Sequence, residues 1–313
     1  MLERRAGGEA GWNGEYALVE VSGVEKTVST ETGLLYVVAT PIGNLGDLST
    51  RVGETLRAVG LIAAEDTRHT QRLLDHIGID TPMISLHEHN ERERSDDIVR
   101  RLQGGVSVAL VSDAGTPLIS DPGFRLVRSA RAAGIELRSL PGPCAAVAAL
   151  SIAGLPTDRF VFEGFLAQKE GARRTQLEAL ANEPRTIIFY VAPRRLAAEL
   201  QSVAEILGHD RPAVLARELT KVFESSYDGT LGDLLERCHV DSSMHKGEMV
   251  LLVAGAEESD DISAADVLLN ALLTELPLKT AVDIAARTSK LPRNTLYKRA
   301  LEIQSENSVN GQE

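Results

Sequence analysis

A chain of 313 residues, 43% hydrophobic and 25% charged, is long enough to bury two ordinary cores and has the balance of a globular enzyme or binding protein. Its formal charge of −12 argues against a uniformly basic nucleic-acid binder, and no apolar run approaches the roughly 20 residues that a membrane-spanning helix needs. Cys144 and Cys238 are too few and too far apart for a zinc site or a disulfide framework, and the first 30 residues lack an apolar secretory core, so a reducing, cytoplasmic setting is expected.

Residues 1–32 mix glycine, glutamate and threonine without periodicity and read as a disordered extension. Strands are then predicted at 34–39, 61–64, 83–86, 108–112 and 135–140, separated by helices near 49–60, 68–77, 91–103 and 122–133. Strands alternating with helices of this length imply a mostly parallel sheet covered on both faces, a first α/β domain spanning 33–153. After Gly154-Leu-Pro-Thr-Asp158, further strands are predicted at 160–165, 186–191, 213–216 and 249–253, with helices near 170–182, 194–207 and 230–238. An antiparallel pair near 213–228 would make this second α/β domain, 154–256, a mixed sheet. Residues 257–313 read as an acidic linker and a helical tail broken at Leu291-Pro292-Arg293. Lys279, Arg287, Lys290, Arg293, Lys298 and Arg299 crowd that tail, which is either a helix-turn-helix or a small cap with solvated charges.

The most informative stretch is Val108-Ala-Leu-Val-Ser-Asp113-Ala-Gly115-Thr116-Pro-Leu-Ile-Ser120-Asp121-Pro122-Gly123, an apolar strand that stops abruptly in acid, glycine and proline. Asp121 reads as a helix N-cap, with Pro122 in the first turn. By itself the loop is either an ordinary connection or a ligand loop at a strand's carboxyl end. Four others follow apolar strands in the same way: Thr40-Pro41-Ile42-Gly43-Asn44, Glu65-Asp66-Thr67-Arg68-His69, Pro141-Gly142-Pro143-Cys144 and Ala192-Pro193-Arg194-Arg195. Glycine, proline and charge at several strand ends in a row suit a ligand cleft. Glu65-Asp66-Thr67-Arg68 is either a capped and salt-bridged helix start, or a place where Arg68 holds a phosphate or a carboxylate and Asp66 or Glu65 orients a hydroxyl or acts as base. No dinucleotide fingerprint and no phosphate-binding glycine loop is present, and His87-Glu88-His89 lacks a third ligand, so no metal is expected.

Taken in order, Thr40-Pro-Ile-Gly-Asn-Leu-Gly-Asp47, Ala63-Ala-Glu-Asp-Thr-Arg-His69, Ser112-Asp-Ala-Gly-Thr-Pro-Leu-Ile119, Leu140-Pro-Gly-Pro-Cys-Ala145, Ala216-Arg-Glu-Leu-Thr-Lys221 and Lys246-Gly-Glu-Met-Val250 resemble the bacterial small-subunit ribosomal RNA methyltransferases I, of the tetrapyrrole-methylase superfamily. The resemblance implies two α/β domains with an S-adenosylmethionine cleft between them, a helix-turn-helix-like tail and a homodimer. It also implies 2′-O-methylation of a cytidine ribose in the decoding centre of 16S rRNA in the small ribosomal subunit. By position it assigns cofactor contacts to Pro41, Ile42, Asp113, Gly115, Thr116, Cys144, Ala145, Tyr190, Val191, Ala216 and Glu248. Similar proteins carry Glu-Ser-Pro-His-Arg where this chain has Val191-Ala-Pro-Arg-Arg195. A ribose hydroxyl is a weak acid, and Asp66, Glu218 and Lys221 are the candidate bases, unranked; Arg68, Arg194, Arg195, Arg217 and Lys246 are candidate phosphate contacts. Two competing readings are a tetrapyrrole C-methyltransferase and a nucleic-acid-binding regulator without catalysis.

Overall fold

The computed structural model describes residues 32–256, 262–289 and 291–310. The expected amino-terminal extension up to residue 31, the centre of the acidic linker and Lys290 lie outside the described residues. The first sheet is built from β1 (Leu35–Val38), β2 (Leu61–Ala64), β3 (Met83–Ser85), β4 (Val108–Val111) and β5 (Leu137–Leu140), all parallel, in the order β3-β2-β4-β1-β5. The central strands β2 and β4 are apolar at every position because both of their faces are covered. Alternation then divides each between two cores. Leu61, Ala63, Val108 and Leu110 meet Ile98 and Leu102 of α3 (Glu91–Gln103) and Leu126 and Ala130 of α4 (Phe124–Ala132). Ile62, Ala64, Ala109 and Val111 meet Val52 and Leu56 of α1 (Thr50–Ala58) and Leu74 of α2 (Thr67–Ile77). Each such leucine or valine contributes about 1.5–3 kcal/mol on burial.

A helix that the sequence pattern did not announce, α5 (Ala145–Ile152), follows β5 and crosses to the second sheet. There Ala146, Ala149 and Leu150 pack on Ile188, Val214 and Leu252. That sheet contains β6 (Phe160–Phe165), β7 (Thr186–Val191), β8 (Pro212–Arg217), β9 (Ser225–Thr230) and β10 (Met249–Val253), in the order β6-β7-β10-β8-β9. Only β6 and β7 run parallel, so the sheet is mixed, and β8 and β9 form the expected antiparallel pair. Its far face is covered by Leu177 of α6 (Glu170–Glu178), Leu200 and Val203 of α7 (Leu196–Leu207) and Leu234 of α8 (Leu231–Val240). Helix α6 is four residues shorter than the predicted 170–182. The tail forms α9 (Ile262–Glu275), α10 (Leu278–Thr288) and α11 (Arg293–Asn310), joined through Leu269, Val282, Ala285, Leu296 and Ile303. Two of its basic residues have acidic partners, Arg293 with Asp283 and Arg299 with Asp266, each at 2.7 Å. No described helix is long and apolar enough to cross a membrane.

One predicted cap is corrected by the structure. Helix α4 starts at Phe124, its N-cap is Gly123 at φ 125°, and Asp121 makes no capping bond. The helix terminus is satisfied from outside: buried Glu91 of α3 accepts from Gly123 N at 3.1 Å and from Arg125 N at 2.7 Å. A carboxylate there also complements the positive end of the helix. Asp121 is thereby released for another position.

Candidate active site

The carboxyl ends of β1, β2, β4 and β5 converge on one edge of the first sheet, and their loops are tied to one another. Thr40 and Gly115 form an isolated antiparallel bridge, with N–O distances of 2.9 and 3.1 Å. Gly115 sits at φ 84°, a backbone region that disfavours side chains, and a Cβ there would come within 3.2 Å of Ile42 Cγ2. Thr116 Oγ1 donates to Pro143 O at 3.0 Å, and Ser112 Oγ donates to Gly115 O at 3.2 Å. The Asp113 amide donates to Glu65 Oε2 at 3.4 Å, while Asp113 Oδ1 accepts from the Asp66 amide at 3.0 Å.

A cavity of about 390 Å³ lies between these loops and the second sheet, a size ordinary for a small-molecule site. From the first half Ile42, Asp113, Gly115, Thr116, Cys144 and Ala145 line it; from the second, Tyr190, Val191, Ala216 and Glu248. Pro41 instead lines an adjoining cavity of about 330 Å³, which shares Ile42, Asp113 and Glu248 with the first. The second half contributes a largely apolar wall that includes Leu219, Met249 and Val250. Tyr190 is held edge-on between Phe162 and Phe165, with ring centroids 5.0 and 5.5 Å apart. Burial raises the Tyr190 phenol above its usual range, so it stays protonated.

Of the predicted bases, Lys221 lines the second cavity, while Asp66 and Glu218 line neither. Asp66 caps α2 by accepting from Arg68 N at 2.8 Å and binds the Arg68 guanidinium at 2.7 Å; these bonds hold its carboxyl far below the usual range, and it lines neither cavity. Glu218 accepts from Lys221 Nζ and from the Glu248 amide, both at 2.8 Å. Burial acts to raise its carboxyl, but those bonds bring it below its ordinary value. Lys221 lines the second cavity with its ammonium 2.8 Å from Glu218 and 2.9 Å from Glu248; burial acts to lower its pKa and the two carboxylates overcome it, so it remains a cation.

Of the predicted phosphate contacts, Arg68 is 89% exposed, and Arg194 and Lys246 are also exposed. Arg195 donates to Leu166 O and pairs with the buried Glu199 at 3.2 Å. Arg217 donates to the carbonyls of Lys246 and Phe223, at 2.7 and 3.3 Å. These two arginines brace loops from within.

The structure brings forward residues that the sequence reading did not select. His69, Arg72 and Leu73 of α2 line the second cavity; their i, i+3, i+4 spacing puts them on one face of the helix. Asp121 lines the first, as does Glu65, which the sequence already offered for orienting a hydroxyl or acting as base. Burial raises the Glu65 carboxyl. Burial, and then the charge of Glu65, push Asp121 up to about 7, against a hydrogen bond from Ser112. Among the described residues no group of three or more His, Cys, Asp or Glu is arranged to hold a metal ion.

Residues 34–235 match the family model of the Tetrapyrrole (Corrin/Porphyrin) Methylases, and residues 259–304 match that of the RsmI C-terminal HTH domain. The Ribosomal RNA small subunit methyltransferase I of Pseudomonas aeruginosa is 54% identical over 276 residues, covering 87% of this chain and 98% of the relative. Its counterpart from Escherichia coli O157:H7 is 50% identical over 281 residues, covering 89% and 98%. Among solved structures, the methyltransferase CobJ superposes with a TM-score of 0.55 at 21% identity over 72% of this chain and 95% of its own. Uroporphyrin-III C-methyltransferase from Thermus thermophilus, complexed with S-adenyl homocysteine, superposes with a TM-score of 0.50 at 16% identity over 72% and 97%. These two likenesses concern the fold.

Proposed function

We propose a reaction for this cavity from one premise: the chain belongs to the tetrapyrrole (corrin/porphyrin) methylase family and is about half identical, over nearly their whole length, to relatives named ribosomal RNA small subunit methyltransferase I. It is an S-adenosylmethionine-dependent methyltransferase of small-subunit ribosomal RNA, and the reading extends to the 2′-oxygen of a cytidine ribose in the decoding centre. The observation that carries the RNA assignment is the extent of the identity, 98% of each relative being covered, because fold alone is shared with enzymes of other substrates.

The residues present suit the methyl donor. The cavity offers apolar strand ends at Val191, Ala216 and Val250, an aromatic wall at Tyr190 and Phe165, and a carboxylate at Asp113 for hydroxyls or positive charge. The bound donor supplies a methyl group already activated on a sulfonium. What the chain must do is hold this carbon and the acceptor oxygen in line and close together. The bridge between Thr40 and Gly115 and the bond from Thr116 to Pro143 fix three loops against one another, so the donor's frame is set before it binds. Apolar strand ends from the second sheet keep water from the methyl carbon. The adjoining cavity, with His69 and Arg72 at its edge and exposed Arg68 on the same helix, is the proposed entry for the nucleotide.

The reading also includes a cytoplasmic homodimer, supported by the exposed apolar side chains of Phe124, Val147 and Ile152, which a second copy of the chain would cover. Incubation with methyl-labelled donor and either naked 16S rRNA, small subunits or a porphyrinogen tests the reaction. We expect label in a cytidine 2′-O-methyl from an RNA arm, with light scattering at twice the chain mass. Label in the porphyrinogen alone, or donor binding without transfer in any arm, overturns the assignment.

A further inference from the structure

The reaction proposed above releases a proton, and the groups first considered for it are already engaged. Asp66 is bound by Arg68, Glu218 by Lys221 and the Glu248 amide, and Lys221 is held as a cation by two carboxylates. Asp121 differs in each respect. It lines the donor cavity, and among the described residues no cation pairs with it. It is carried by a loop that departs from regular backbone on both sides: Leu118 and Ser120 have φ of 75° and 67°, and Gly123 follows at 125°. Ser120 Oγ lies 3.0 Å from where a side chain on Gly164 of β6 would begin, so this loop abuts the second sheet where the cavity closes. Glu91 has taken over the capping that the sequence would have given Asp121.

We propose that Asp121 is the proton acceptor of the methyl transfer, with Glu65, which lines the same cavity, as a positioning residue. This rests on the ribose-methylation reading. Asp121 takes the proton of the 2′-hydroxyl as the oxygen–carbon bond forms and the carbon–sulfur bond breaks, its electron pair returning to sulfur; the proton then passes to water. Charge favours this arrangement at both ends of the step. Proton and methyl transfer together turn a carboxylate and a sulfonium into a neutral acid and a neutral thioether, so the step leaves the net charge of the partly buried cavity unchanged. The groups facing Asp121 are Glu65 and Asp113 from the first half, Tyr190 from β7 and the Ser112 hydroxyl. Burial first, and then the charges of Glu65 and Asp113, raise its affinity for a proton and set it near neutrality before the donor binds, where a base works best.

The test compares the wild type with D121N. In wild type, the single-turnover rate at saturating donor rises with pH and levels off below the value of about 7 that Asp121 has without donor, because the sulfonium favours the carboxylate. In D121N it falls by about 10²–10⁴ at neutral pH and loses the plateau, while calorimetric affinity for S-adenosylhomocysteine, which lacks the sulfonium charge, is unchanged. An E65Q variant moves the plateau to lower pH. Carboxyl NMR of aspartate-labelled protein shows a resonance titrating near pH 7 that D121N lacks. Three results overturn the proposal: a D121N rate and pH profile like those of the wild type, a loss of donor affinity that restores full rate at saturation, or no such resonance. Failure of the underlying reading looks different, because the wild type itself then forms no 2′-O-methyl ribose.

Discussion

The two sheets face the same cavity with opposite chemistry. The parallel sheet presents strand-end loops with carboxylates at Glu65, Asp113 and Asp121, and among the described residues no cation pairs with Asp121. The mixed sheet presents a largely apolar wall, and the charged groups around it already have partners: Lys221 with Glu218 and Glu248, Arg195 with Glu199, and Arg217 with backbone carbonyls. The difference separates chemistry from architecture within one cleft. A charge left without a partner in a partly buried cavity raises the free energy of the empty site unless a ligand or a proton relieves it, whereas a closed charge network holds a loop in place.

The largest effect is expected at the tightest point of the first half. Gly115→Val puts a β-branched side chain at φ 84° and 3.2 Å from Ile42, so the bridge to Thr40 has to open. Calorimetry should show donor affinity reduced by about 100-fold or more, about 2.7 kcal/mol, with the melting temperature lowered by only a few degrees because the sheet cores lie elsewhere. Unchanged affinity would mean that this loop is not the donor's wall.

This loop was legible in the sequence as an unusual strand end, because apolar strands with abrupt glycine and proline stops announce themselves locally. The order of elements was legible for the same reason: period-2 strands and amphipathic helices are short-range patterns. What escaped was set by contacts distant in sequence. Helix α5, Ala145-Ala-Val-Ala-Ala-Leu-Ser-Ile152, has no polar face to mark it, since one side packs on the second sheet and Val147 and Ile152 are exposed on the other. Asp121 looked like a helix cap because Asp-Pro-Gly is good capping chemistry; that Glu91, thirty residues upstream, performs this task is visible only in three dimensions. The same holds for the pairing of Lys221 with Glu248, 27 residues further on.

A middle-sized effect tests whether the second half's charges are architecture. Glu199 is fully buried with Arg195 Nε at 3.2 Å, yet neither of its carboxylate oxygens has an aligned hydrogen bond. Burial pushes its carboxyl up to about 7 from an ordinary value of 4.5, against the attraction of Arg195 and Arg173. A folded-state value above the unfolded one means that the native protein holds the proton longer. Its contribution to stability is therefore present at low pH and is lost as pH rises from about 4.5 to 7. Glu199→Gln removes that dependence. Urea unfolding should show the variant gaining on wild type by about 2–3 kcal/mol between pH 5 and pH 8, with donor affinity unchanged. A wild type that grows more stable across this interval would show that the arginines, rather than burial, govern the carboxyl.

The smallest effect is the most diagnostic of the contrast between the halves. Lys221 joins Glu218, at φ 51°, to Glu248, which lines both cavities, and Thr220 between them sits at φ 67°. Lys221→Met keeps the length and apolar character of the stem against Gly43 while removing the charge that holds two carboxylates together. If the second half is architecture, the loop loosens and the donor's KM rises about 10-fold, equivalent to about 1.4 kcal/mol, while kcat at saturating donor stays within about two-fold. Such a split is the signature of lost binding in ground and transition states alike. A kcat reduced by about 100-fold at unchanged KM would instead place the Lys221 ammonium against the reacting atoms. The second half would then share in the chemistry, and Asp121 would no longer account for the reaction by itself.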